Sequence, residues 1–74
     1  MGRVLGEGVR SYRLTPREGF VVSLLSQGCS NKEIAERLGI SEQTVKDHLK
    51  HVYQKVGAHQ RTALLARLLG TMPL

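Results

Sequence analysis

Short apolar stripes at helical spacing organise this chain. The clearest is Val45, Leu49, Val52 and Val56, spaced four, three and four residues apart, which makes one narrow face of a helix. Leu64, Leu65, Leu68 and Leu69 form another, spanning about 140° of a helical wheel and so wider than the ~100° that faces a single core. Phe20 and Leu24 share one side of an earlier segment, and no run alternates apolar and polar residues as a half-buried strand would. Start and stop signals divide the pattern into helices. Thr15 with Glu18 makes a capping box, Pro16 suits the first helical position, and Gly28 ends the run. Ser30 with Glu33 makes a second box, closed at Gly39; Ser41 caps a third helix that stops at Gly57; a fourth is closed by Gly70, with Pro73 beyond. The prediction is an all-α, four-helix domain with helices over about 16–27, 31–38, 42–56 and 60–69. Residues 14–70 form the domain, 1–13 read as a flexible lead-in or interdomain linker remnant, and 71–74 as a tail.

The polar positions carry the chemistry. Opposite the apolar face of the third helix lie Gln43, Asp47, Lys50 and Gln54, flanked by Thr44, Lys46 and His51. Lys can donate to guanine, Gln can pair bidentately with adenine, Asp can accept from cytosine, and the flanking groups suit phosphates. A polar outer face is also what any surface helix has. The preceding two-turn helix and glycine turn favour the sharper reading, because a helix-turn-helix braces its second helix with the N-terminal half projecting towards DNA.

Composition agrees. The 74 residues hold 11 Lys plus Arg against 6 Asp plus Glu, a formal net charge of +5, which favours a polyanionic partner. The 41% of apolar residues is too high for a disordered segment. Cys29 is the one cysteine, so no intrachain disulfide forms. His48 and His51 stand three apart on a helix, a spacing that suits a metal, but no third ligand is near in sequence, so no metal and no cofactor are expected. No apolar run approaches the ~20 residues of a membrane span, and the N-terminus lacks the apolar core of a signal peptide; the expected compartment is the cytoplasm. No nucleophile–base set and no phosphate-cradling glycine loop point to an enzyme.

The chain resembles the LuxR/FixJ-type helix-turn-helix. The resemblance rests on Leu14-Thr15-Pro16-Arg17-Glu18, Gly28, Asn31-Lys32-Glu33-Ile34-Ala35, Leu38, Ile40-Ser41, Thr44-Val45-Lys46, His48, Lys55, Gly57 and Arg61-Thr62, and covers about Leu14 to Leu69. It implies a four-helix domain that binds double-stranded DNA in bacterial transcription regulators, usually as a dimer, often fused to a receiver or ligand-sensing domain. Carried over by position, Lys46, Asp47 and Lys50 read bases, Thr44 touches phosphate, and Asn31, Lys32 and Arg61 are backbone contacts. Helix N-termini, with their free N–H groups, support the phosphate roles at Asn31, Lys32 and Thr44. His48 lies between the core and groove faces.

Two departures stand out. Gly19 and Phe20 replace polar residues; Phe20 reads first as extra core packing, otherwise as a docking patch for a further domain or RNA polymerase. Asp47 brings a negative charge to the groove face, either to select cytosine or to buffer Lys46 and Lys50. The wide leucine stripe suggests that Leu65 and Leu69 face the core while Leu64 and Leu68 meet a second copy. Two other functions fit the same sequence: a promoter-binding region of a sigma factor, which has a similar helix-turn-helix, and a helical adaptor that binds only protein.

Overall fold

The computed structural model describes residues 12–69, and the regular secondary structure among them is entirely helical. What the sequence predicts for residues 1–11 and 70–74, including the tail and the Gly70 and Pro73 stop signals, lies outside the described residues, as does the side chain of Leu69. Four helices follow in order: α1 Pro16–Ser26, α2 Asn31–Leu38, α3 Glu42–Val56 and α4 Arg61–Leu69. The caps act as their sequences dictate. The Thr15 and Ser30 hydroxyls accept from the Glu18 and Glu33 backbone N–H groups, and the two carboxylates accept in return from the N-cap N–H groups at 2.8 and 2.9 Å. Gly39 and Gly57 end α2 and α3 at φ +67° and +76°, a left-handed turn that a side chain would strain. α1 ends one residue before the expected Gln27, and α4 starts one after Gln60.

α3 packs on each of the other three helices, and α1 and α2 also pack on each other. All four residues of its apolar stripe, Val45, Leu49, Val52 and Val56, are buried, and they meet Val21, Val22 and Leu25 of α1 and Ile34 and Ala35 of α2 in one core. Burying one such aliphatic side chain contributes about 1.5–3 kcal/mol. One charged residue joins them: the side chain of Glu18 is 5% exposed and pairs with the Lys55 amine at 2.7 Å, tying the start of α1 to the end of α3. No described helix is long and apolar enough to cross a membrane.

Two expectations about apolar residues are overturned. Leu64 and Leu68 do not face outward; at 0% and 3% exposure they belong to the domain's own core, while Leu65 is half-buried. The cause is the rotation of α4. Arg61 and Arg67 flank the Leu64–Leu68 strip on the helical wheel, and both donate inward, Arg61 Nη2 to the Cys29 carbonyl at 2.6 Å and Arg67 Nη1 to the Val56 carbonyl at 3.2 Å. These bonds turn the strip between them onto the core. Phe20 is not core packing either: it is 62% exposed on α1, where Val21, Val22 and Leu25 already fill the inward face.

Candidate nucleic-acid interface

α2, the turn at Gly39–Ile40 and α3 form the helix-turn-helix. Ser41 caps α3: its Oγ accepts from the Thr44 N–H at 3.0 Å and lies 2.9 Å from the Thr44 hydroxyl. Thr44 is thus half-buried at the start of α3, its hydroxyl already engaged locally. With the apolar stripe locked in the core, the remaining faces of α3 are fixed. Gln43, Lys46, Asp47, Lys50, His51 and Gln54 are all exposed. They form two neighbouring rows at i, i+4 spacing, Lys46–Lys50–Gln54 and Gln43–Asp47–His51. One row is cationic and the other carries the carboxylate. His48 is half-buried between core and surface, as the sequence suggested.

Asp47 does not pair with the lysines beside it. Its Oδ1 accepts from Gln43 Nε2 at 3.1 Å, and neither lysine amine comes within 4 Å of the carboxylate. A neutral amide thus orients Asp47 and leaves both lysines unneutralised on the same face.

The expected phosphate contacts divide. Lys32 is exposed at the first turn of α2. Asn31 is half-buried, with a carboxamide oxygen sealed from solvent and lacking a hydrogen-bond partner. Arg61 spends one N–H on the Cys29 carbonyl and so braces the α1–α2 turn against α4, a structural role that sequence spacing did not reveal. His48 and His51 gain no third ligand: among the described residues no three His, Cys, Asp or Glu side chains gather as a metal would need.

With this geometry in view, the chain matches the family described as bacterial regulatory proteins, luxR family, over residues 12–68. The chain belongs to that family. It is 54% identical over 52 residues to Rv0890c of Mycobacterium tuberculosis (strain ATCC 25618 / H37Rv), named as an HTH-type transcriptional regulator, covering 70% of this chain and 6% of that protein. It is 37% identical over 65 residues to the HTH-type transcriptional regulator GfsR of Streptomyces halstedii, covering 88% of this chain and 27% of GfsR. It is 49% identical over 49 residues to the nitrate/nitrite response regulator protein NarL of Escherichia coli (strain K12), covering 66% and 23%. The chain thus spans less than a third of each of these relatives. No solved structure matches it. The luxR family is one of regulatory proteins rather than enzymes.

Proposed function

We propose that this luxR-family domain binds double-stranded DNA in a sequence-specific way to regulate transcription, with α3 in the major groove and two copies acting on paired half-sites. The observation that carries the reading is the exposed double row on α3, held outward by a fully buried apolar stripe and braced by α2. A helix of this kind fits a groove ~12 Å wide, and its side chains match base edges: Lys46 and Lys50 for guanine, Gln43 and Gln54 for adenine, Asp47 for cytosine. Thr44, Lys32, Asn31, His51 and Arg61 are the side chains proposed to meet the flanking phosphates. The names of Rv0890c and GfsR as HTH-type transcriptional regulators, and of NarL as a response regulator protein, support the same reading.

The dimer contact belongs to the outer side of α4, where Leu65 is half-buried and Thr62 exposed, and not to the two core leucines. Selection of bound duplexes from a random pool, followed by titration in increasing salt, tests the proposal. A recurrent sequence should emerge. With ~3–5 phosphates neutralised per copy, log K against log salt should slope by about −3 to −5. No enriched sequence together with a flat salt response would leave a protein-binding adaptor as the function.

A further inference from the structure

Asp47 is the one carboxylate on the outward rows of α3, and the company it keeps is unexpected. A carboxylate placed to buffer Lys46 and Lys50 would pair with one of them. It forms no ion pair with either lysine, nor with His51 one turn on. Its partner is the amide of Gln43 one turn earlier, whose Nε2 donates to Oδ1 at 3.1 Å. Both residues are exposed, and nothing in the core requires the bond. An unpaired aspartate side chain turns freely about two bonds. Tying down Oδ1 aims Oδ2 in one direction. The bond also leaves the second Nε2–H of Gln43 free. An acceptor and a donor therefore stand together in the N-terminal half of α3, on a surface whose neighbouring row is cationic.

That polarity has one good match among base edges in the major groove. A cytosine offers its N4–H as donor beside the O6 acceptor of its paired guanine. Asp47 Oδ2 suits the first and the Gln43 N–H suits the second. Guanine and thymine offer Asp47 only acceptors, which repel a carboxylate. Adenine offers N6–H, but its N7 lone pair lies alongside, where cytosine has only a C–H. We propose that Gln43 is a positioning residue and that the Gln43–Asp47 pair reads one cytosine–guanine pair as a unit, through the cytosine N4–H, so that methylation of that amine blocks the site. The proposal rests on the DNA-binding function above and narrows it. Gln43 aims Asp47 in place of reading an adenine of its own, and the regulator becomes sensitive to a covalent mark on its operator.

Selection from random duplexes with the wild type and with Asp47→Ala identifies the position whose preference depends on Asp47. That position should be cytosine for the wild type. N4-methylcytosine placed there keeps the Watson–Crick pair and removes the N–H that faces the groove. It should weaken wild-type binding about tenfold. 5-Methylcytosine keeps the N–H and should cost less than about twofold. Asp47→Ala should bind the N4-methylated and unmodified duplexes alike. Gln43→Met keeps the side-chain length and removes the donor, and its N4-methyl penalty should shrink to about threefold or less. A role confined to helix stability would leave that penalty at its wild-type value in Gln43→Met, and this result overturns the positioning role. Equal penalties from the two methyl groups would mean exclusion by bulk and overturn the hydrogen-bond reading. A selected duplex with no cytosine at an Asp47-dependent position overturns the assignment and leaves DNA binding standing. Failure to select any duplex removes the DNA-binding function and this assignment with it.

Discussion

Glu18 carries two roles in one carboxylate: it closes the α1 capping box through the Thr15 N–H and accepts from the Lys55 amine. Burial pushes its pKa up, and this is the largest single influence. The Lys55 hydrogen bond and charge and the Thr15 hydrogen bonds together outweigh it, so the carboxyl titrates below its ordinary 4.5. Because the folded pKa is depressed, the stabilisation is fully present above about pH 4.5 and is lost as the pH falls through the folded value. The Glu33 capping box shifts its exposed carboxyl the same way, chiefly through the Ser30 backbone bond. The melting temperature should therefore fall on acidification below about pH 4.5, and Glu18→Gln should flatten that fall. The two halves of the pair are not equivalent. Removing Glu18 leaves a lysine that is 34% exposed and can hydrate, whereas removing Lys55 strands a carboxylate that is 5% exposed. Lys55→Met should cost about 3 kcal/mol and Glu18→Gln about 1 kcal/mol in urea unfolding, and the reverse order would refute this assignment. On the groove face, Lys46→Ala or Lys50→Ala should each weaken binding to the selected duplex, at least one of them by ~1–3 kcal/mol and with relaxed preference at a single base position. Asp47→Ala should instead raise affinity for unrelated duplexes, since it removes a negative charge from the exposed face proposed to meet a polyanion. Competition assays with selected and scrambled duplexes measure both.

At the scale of the helix, the width of an apolar stripe decides how much of the packing can be read from sequence. The stripe of α3 is narrow, so its rotation follows from Val45, Leu49, Val52 and Val56 alone, and with it the exposure of every groove-facing candidate. The stripe of α4 is broad enough to allow two rotations. Which one occurs is settled by Arg61 on the Cys29 carbonyl, 32 residues away in the chain, and Arg67 on the Val56 carbonyl. No local pattern announces such bonds, and that is why spacing alone turned Leu64 and Leu68 outward. Phe20 failed for a related reason: helical spacing puts it near Leu24 but does not say that α1 has already filled its core face. The rotation of α4 yields a direct contrast. Leu64→Lys buries an unpaired charge at a position with 0% exposure and should unfold the domain, as should Val45→Asp. Leu65→Lys, at a half-buried site, should retain the helical circular dichroism and a cooperative melt. Equal tolerance of Leu64→Lys and Leu65→Lys would mean that α4 is rotated differently.

For the whole molecule, the question is how a domain this small achieves selectivity. One α3 presents few base-reading side chains, and a single half-site of that length recurs often in any genome. Pairing two copies about a two-fold axis doubles the sequence read and places the two recognition helices in successive major grooves, with half-sites ~10 bp apart centre to centre. In the proposed dimer the outer side of α4 would meet the second copy, since its inner strip is used by the core and α3 would lie in the groove. Such a contact, centred on a single half-buried leucine, would be weak in the absence of DNA. It gains strength on DNA, where each bound copy raises the effective concentration of the other. The domain should therefore sediment as a monomer at micromolar concentration and as two copies per duplex on a paired site. Leu65→Lys should abolish cooperativity on the paired site and leave affinity for a single half-site unchanged, because Leu65 only borders the core, where a lysine stem can still pack while its amine reaches water, and lies away from the exposed rows of α3. Cooperative loading by Leu65→Lys equal to that of the wild type would place the contact elsewhere, and Phe20, 62% exposed on α1, is then the side chain to replace next.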